Sequence, residues 1–303
     1  MGKVPYTYMD SVSQGWAVTE ADQSLLITGA AGRVGGLLRP LLARPGRRLR
    51  LLDLREPEPA AGADEELVIG SVTDLDAMVA ACGGVDAVIH LGGQSAEEGF
   101  DTVLESNVYG TYAVLEAARR CGVDRVVLAS SNHAAGFHDR RDGLPDGGLP
   151  ADAPARPDTF YGWSKAAAEI AGRMYADKYG MDVVCLRIGL WFPRPPGLRG
   201  LAMWLSPEDG ARLVEACLSA ERPGFRTVWG ISRNTRRWWS LTEGKSIGYF
   251  PVDDAERFAD ELIAGHGEPD FTADPVLTRV GGQWCDVPPG RPYRAGPVPE
   301  AGD

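Results

Sequence analysis

Leu25-Leu26-Ile27-Thr28-Gly29-Ala30-Ala31-Gly32-Arg33-Val34-Gly35 is the stretch on which the fold turns. A short apolar run halted by glycine reads as a strand buried on both faces. Gly29, Gly32 and Gly35 then open a helix over residues 35–42, with Leu37, Leu38, Leu41 and Leu42 at helical spacing. Glycines in strand–turn–helix context permit a tight turn and let backbone amides, here those around Arg33 and Val34, approach a pyrophosphate at the helix N-terminus. Outward from this unit the pattern repeats. Strands are expected at 49–53, 66–70, 87–91, 125–129 and 182–187, and helices at 73–81, 107–120 and 161–179. Such alternation implies an α/β fold, a doubly wound parallel Rossmann-type sheet.

Asp53 closes the second strand, 18 residues beyond Gly35. A carboxylate there accepts both ribose hydroxyls and repels a 2′-phosphate, which favours NAD over NADP. Arg33 and Arg55 stand close enough in sequence to soften that preference. Tyr161-Gly-Trp-Ser-Lys165 places a phenol and an ammonium on one helix face, four residues apart. A free phenol ionises near pH ~10 and is a poor base at neutral pH unless positive charge stands beside it. Ser130-Ser131-Asn132-His133 lies just past a strand end, where ligands gather in such sheets. Ser131 there suits a substrate oxygen that Tyr161 deprotonates, whereas His133 reads equally as a substrate contact or a structural histidine. No spacing of His, Cys, Asp and Glu points to a metal.

Composition removes several classes. The chain has 303 residues with 31 Lys and Arg against 42 Asp and Glu, a net charge of −11. That is the wrong sign for a nucleic-acid face or for docking on anionic lipid. No apolar run reaches the ~20 residues of a membrane span. The first 22 residues lack an apolar signal core, and the five cysteines are scattered and odd in number, so a reduced cytoplasmic protein is expected. The expected organisation is an N-terminal extension 1–23, a nucleotide-binding domain 24–187, a substrate lobe 188–287 that partly packs back through a helix at 207–219, and a tail 288–303. The lobe holds six of the eight tryptophans. The Gly-, Pro- and Asp-rich stretch 138–158 is expected to be a surface loop.

Taken together, TGAAGRVG, Asp53, His90-Leu91-Gly92-Gly93, Asn107-Val-Tyr-Gly-Thr, Ser131 and YGWSK resemble the extended short-chain dehydrogenase/reductase superfamily. Within it, VVLASSNHAAG, PARPDTFYGWSK, RIG and VWG with Trp238-Trp239 resemble bacterial NAD-dependent uronate dehydrogenases, over about residues 24–287. The resemblance implies oxidation of a hexuronic acid at C1 to a lactone, with NAD as cofactor. It implies Tyr161 as base, Lys165 lowering its pKa and holding the nicotinamide ribose, and Ser131 on the C1 oxygen. Ser95, Asn132 and His133 would bind ring hydroxyls, and Arg199 the substrate carboxylate. Ser71, Leu91, Gly92 and Asn107 fall at cofactor-contact positions. Two residues depart from the family pattern: Leu190 stands where serine is usual in the substrate wall, and Ser71 where aspartate commonly meets adenine. Leu190 is expected to dry that wall and favour a related or more apolar-substituted carboxylated sugar. Homodimers are usual in the superfamily, which makes 107–120 and 161–179 candidate interface helices. The competing readings are a nucleotide-sugar epimerase or dehydratase that keeps NAD bound, and a non-catalytic cofactor sensor, against which the Tyr/Lys pair counts.

Overall fold

The computed structural model describes residues 23–293. Strand β1 (Gln23–Thr28) runs through the glycine turn into helix α1 (Arg33–Leu42), then β2 (Arg47–Asp53) and β3 (Glu65–Ile69). Helix α2 (Leu75–Cys82) leads to β4 (Ala87–His90), α3 (Phe100–Val103), α4 (Gly110–Cys121) and β5 (Arg125–Ser131). Next come α5 (Phe160–Tyr179), β6 (Asp182–Ile188), β7 (Leu190–Trp191), α6 (Gly197–Met203) and β8 (Trp204–Leu205). Helix α7 (Pro207–Ser219) and strand β9 (Phe225–Gly230) complete the sheet.

Seven strands pair in the order β3-β2-β1-β4-β5-β6-β9, every neighbour parallel. This is the doubly wound α/β architecture that the alternation implies. Alternate residues of each strand feed two apolar layers, as a strand's two-residue period requires. Leu25, Ile27, Leu49 and Leu51 pack on Leu38 and Leu42 of α1 and on Leu213, Val214 and Cys217 of α7. Leu26, Leu52, Val88 and Val126 pack on Met78 of α2, on Val114, Leu115 and Ala118 of α4, and on Tyr175 of α5. Register aligns the carboxyl ends: Thr28 stands opposite Leu52 and His90, and Ser131 opposite Ile188. The segments after β1, β4, β5 and β6 therefore emerge along one edge.

Three expectations are refined. The helix expected at 107–120 begins earlier: α3 runs into α4 through a π-helical turn, Leu104–Tyr109. That turn carries Asn107 to the buried side, where it is 2% exposed. The segment after 187 also completes the sheet, because β9 is its seventh strand, while α7 packs back on one of its faces as expected. The stretch 138–158 is a surface loop as expected, but its second half is anchored. Leu149, Ala151 and Ala153 pack against Trp229, Trp238 and Trp239, and Leu149 bonds through its backbone to Trp238 and Ser240. The N-terminal extension, but for Gln23, and the tail beyond Tyr293 lie outside the described residues.

Under this edge sits a buried ion pair. Arg187 of β6 donates Nε and Nη2 to the Glu169 carboxylate of α5 at 2.9 and 2.8 Å, and Nη1 to the Ala153 carbonyl at 2.8 Å. Ser130 donates to the same carboxylate at 2.6 Å. One partner removed leaves the other charged and dry. Glu169→Ala is expected to lower the unfolding free energy by about 3–5 kcal/mol, seen as an earlier urea midpoint at unchanged slope. A loss under about 1 kcal/mol would contradict a dry pair.

Candidate active site

The glycine turn is built by close backbone approach. Gly29 has φ +71°, and a Cβ there would stand 2.6 Å from the Gly92 amide nitrogen. A Cβ on Gly35 would stand 2.5 Å from the Ala30 carbonyl, so the first turn of α1 lies directly on the loop. Asp53 fixes the turn from the side: its carboxylate accepts the Ala31 amide at 2.9 Å and the Leu54 amide at 2.7 Å. Arg55 donates to the Ala31 carbonyl at 2.9 Å. Helix α1 starts at Gly32 with no side-chain cap and no acidic residue in its first turn. Such an end presents amides and positive dipole to an anion. The Arg33 guanidinium lies 3.9 Å from the Phe192 ring centroid, which ties the turn to the segment after β7.

Around this turn, Ser71 bonds to the Thr73 hydroxyl and amide, closing its own turn. His90 is buried between the hydroxyls of Thr28, at 2.8 Å, and Thr111, at 3.3 Å. Burial, reinforced by the Lys165 charge, lowers its pKa to about 3, so this ring is neutral and structural. Asn107 accepts the Gln94 amide at 2.6 Å and donates to the Gln94 carbonyl and the Ser164 hydroxyl. Its side chain braces the 92–95 loop against α5. Ser95 on that loop is exposed.

At the end of β5 the structure brings the expected residues together. Lys165 donates to the Ala129 carbonyl at 2.9 Å, with its ammonium 5.6 Å from the Tyr161 ring centroid. Ser131 accepts the His133 amide at 3.2 Å. Burial raises the Tyr161 pKa, against the downward pull of the Ser131 hydroxyl and, less strongly, of the Arg33 charge; Asp158 adds to the rise. Asn132 Nδ2 and Arg199 Nη2 donate to one carbonyl, that of Val280, at 3.0 and 2.7 Å. Arg199 is thus beside Asn132 although 67 residues separate them. A Cβ on Gly282 would stand 2.6 Å from the Arg199 Cζ, so the guanidinium lies flat on backbone. Leu190 is half-buried against the tryptophan cluster and pairs with Trp204.

Sequence reading missed three neighbours. Asp158 is buried and takes the His133 ring on Nδ1 at 2.6 Å. Its carboxylate sits in a glycine cage, where a Cβ on Gly136 or Gly281 would collide with it. Trp284 covers the pair, 4.2 Å from the His133 ring centroid and 5.8 Å from that of Tyr161. Glu97, 0% exposed, accepts the Phe160 and Tyr161 amides. The Gly281-Gly282 pair ahead of Trp284 was the readable signal for a close approach there.

A crevice at the strand-order reversal, lined by a glycine turn and a Tyr/Lys pair, defines a nucleotide-cofactor enzyme scaffold. The chain matches and belongs to the NAD dependent epimerase/dehydratase family, over residues 25–198. Within it, the chain is 41% identical to uronate dehydrogenase of Pseudomonas putida, over 88% of this chain and 96% of that protein. It is 40% identical to NAD-dependent glucose-6-phosphate dehydrogenase of Haloferax volcanii, over 82% of this chain and 98% of that one. A tyrosine-to-alanine variant of Agrobacterium tumefaciens uronate dehydrogenase complexed with NAD has the same fold, at TM-score 0.81 and 39% identity, covering 88% of this chain and 98% of that one.

The site carries a stability cost. Burial lowers the Lys165 pKa from the ordinary 10.5 to about 8. The unfolded chain therefore binds the extra proton between those two values, and stability rises with pH across that window. Below pH 8 folding bears the full cost of burying the ammonium. Lys165→Met is expected to raise stability at pH 7 by about 3 kcal/mol. The gain should fade between pH 8 and 10.5, and urea unfolding at pH 7 and pH 10 measures it. A variant less stable than the parent at pH 7 would contradict the burial cost.

Proposed function

We propose that this protein oxidises a uronic acid, or a closely related carboxylated sugar, at the anomeric C1 to a lactone, with hydride passing to NAD. The observation that carries the reading is the single cluster of Ser131, Tyr161, Lys165, Asn132, His133 and Arg199 beside an uncapped helix N-terminus. The residues present fit NAD: the first-turn amides of α1 and Gly29, Gly32, Arg33, Val34 and Gly35 suit the pyrophosphate, and Asp53 the ribose hydroxyls. Ser71, Leu91, Gly92 and Asn107 flank that crevice, and Lys165 would hold the nicotinamide ribose. When bound, NAD supplies the hydride acceptor.

The rest is the work of side chains. Ser131 holds the C1 oxygen, and Tyr161 takes the proton of the C1 hydroxyl as the C1–H bond gives up its hydride. Burial pushes the phenol away from ionisation. A positive charge must therefore offset it; the Lys165 ammonium lies 5.6 Å from the phenol ring centroid, and the Arg33 charge already pulls the pKa down. Ser95, Asn132 and His133 address ring hydroxyls. Arg199 makes one hydrogen bond, to a carbonyl, and no ion pair among the described residues. Its other donors suit a substrate carboxylate. Leu190 contributes an apolar wall. The relatives include enzymes named for a uronate and for a sugar phosphate, so the scaffold tolerates a change of anion, and Arg199 is the residue to decide it. Epimerases stand further off.

Among the described residues no helix is long and apolar enough to cross a membrane, and all five cysteines are free. The free thiols suit the reducing cytoplasm. Phe100, Leu104, Tyr109 and Tyr112 on the α3–α4 helix and Ile170 and Met174 on α5 are exposed apolar side chains, Ile170 at 69%. This face suits a second copy of the chain.

NADH formation with glucuronate and galacturonate is expected, and Tyr161→Phe should remove at least about 10³-fold of it. Arg199→Met should raise KM for uronates about 10- to 100-fold while leaving the matching neutral aldose unchanged. Equal effects on both sugars would remove Arg199 from the carboxylate. For the dimer, Ile170→Asp is expected to shift sedimentation from two copies to one; an unchanged boundary would place the interface elsewhere.

A further inference from the structure

The carboxylate of Glu97 is fully buried, and backbone amides rather than a cation fill it. It accepts Tyr161 N at 2.8 Å and Phe160 N at 3.2 Å, two of the orphan donors that open α5. Thr159 caps the next amide, that of Gly162, at 3.1 Å, so the whole first turn is satisfied. The same carboxylate accepts the Gly290 amide at 2.6 Å. The Glu97 backbone pairs with Tyr293 in both directions, at 3.1 and 3.0 Å. Tyr293 in turn meets Trp284 edge-on at 5.3 Å between centroids, and its hydroxyl accepts from Gln283 at 2.6 Å. One group thus holds the backbone of the residue that carries the phenol. It also holds the segment 288–293, which props the tryptophan lying on His133.

We propose that Glu97 is a positioning residue that fixes Tyr161 and the Trp284 wall together, so that the pocket is closed over His133 only when the phenol is in register. The assignment rests on the dehydrogenase reading for its kinetic consequence and on geometry alone for the coupling. Charge is essential to the arrangement. Three amide donors converge on two oxygens, and a glutamine in either orientation turns its own N–H groups toward at least one of them. An unmet buried donor displaces the chain rather than staying dry. A displacement near 1 Å at a reacting group costs about 100-fold in rate.

The experiment pairs Glu97→Gln with Tyr293→Pro, which removes the amide that donates to the Glu97 carbonyl, together with the ring on Trp284 and the hydroxyl that accepts from Gln283, and touches none of the bonds to the Phe160 and Tyr161 amides. Hydrogen exchange on the full chain, without substrate, reads the coupling. Glu97→Gln should speed exchange at Phe160, Tyr161, Gly290 and Tyr293 together, and Tyr293→Pro should speed it at Phe160 and Tyr161. In kinetics each variant should lose about 10- to 100-fold in kcat with a raised sugar KM and an NAD Kd within about twofold of the parent. The double variant should lose less than the product of the two, while Glu97→Asp, which keeps the charge, should recover part of the rate. Faster exchange confined to the 288–293 segment in both variants, or unchanged kcat in both, would overturn the proposal. Should Glu97→Gln fail to fold, Tyr293→Pro decides alone, by whether Tyr161 exchange responds. Absence of turnover with every uronate in the parent would sink the functional reading, and the exchange data would still decide the coupling.

Discussion

Everything at the functional edge depends on two backbones meeting with no side chain between them. At the ends of β1 and β4, Gly29 and Gly92 approach so closely that a single added carbon would collide. This contact sits where the strand order reverses, with β2 departing to one side of β1 and β4 to the other. Neighbouring crossovers then run on opposite faces, and a crevice opens between them. Removing side chains there lets the helix amides of α1 and the Asp53 carboxylate converge on one space. The same alignment of carboxyl ends brings Ser131 to that edge, and α5 sets Tyr161 and Lys165 beside it.

What was legible in the sequence followed from local physics. The β1–turn–α1 unit declares itself because burial, glycine geometry and helical period coincide within some twenty residues. Tyr161 and Lys165 lie on one helix, so their juxtaposition is a matter of four residues. The π-helical turn that buries Asn107 has no such signature: an extra residue in a helix leaves the apolar spacing nearly intact. The strand β9 was hidden for a different reason. Its neighbour β6 is 37 residues earlier, and the intervening tryptophan-rich segment masks the alternation.

The remaining part of the site is a product of long-range closure. Asp158, Trp284 and Glu97 act on His133 and Tyr161 from three separate segments, and each looks ordinary in its own context. Glu97 follows a polar loop, Asp158 sits among prolines, and Trp284 is one tryptophan among many. Their roles depend on the 278–293 chain returning across the mouth of the sheet, held at Val280 by Asn132 and Arg199. Two glycines make that return possible, since Gly281 leaves space for a carboxylate and Gly282 for a guanidinium. The resemblance named Arg199 as a carboxylate partner; only the fold shows what fixes it there.

The bond between His133 and Asp158 bears on the tautomer of the imidazole. A carboxylate acceptor is met by the tautomer with its proton on Nδ1, and in that tautomer Nε2 offers a lone pair. With Trp284 tilted against the ring at 4.2 Å between centroids, the imidazole has little room to rotate and exchange the two nitrogens. On the proposed function, this nitrogen would take a hydrogen bond from the ligand. A sugar hydroxyl satisfies that demand, whereas an O-methyl ether or a deoxy position leaves the nitrogen facing carbon. On that reading polarity would be sorted at His133 and the anion at Arg199, and one short stretch of chain, through Trp284 and Val280, holds both side chains.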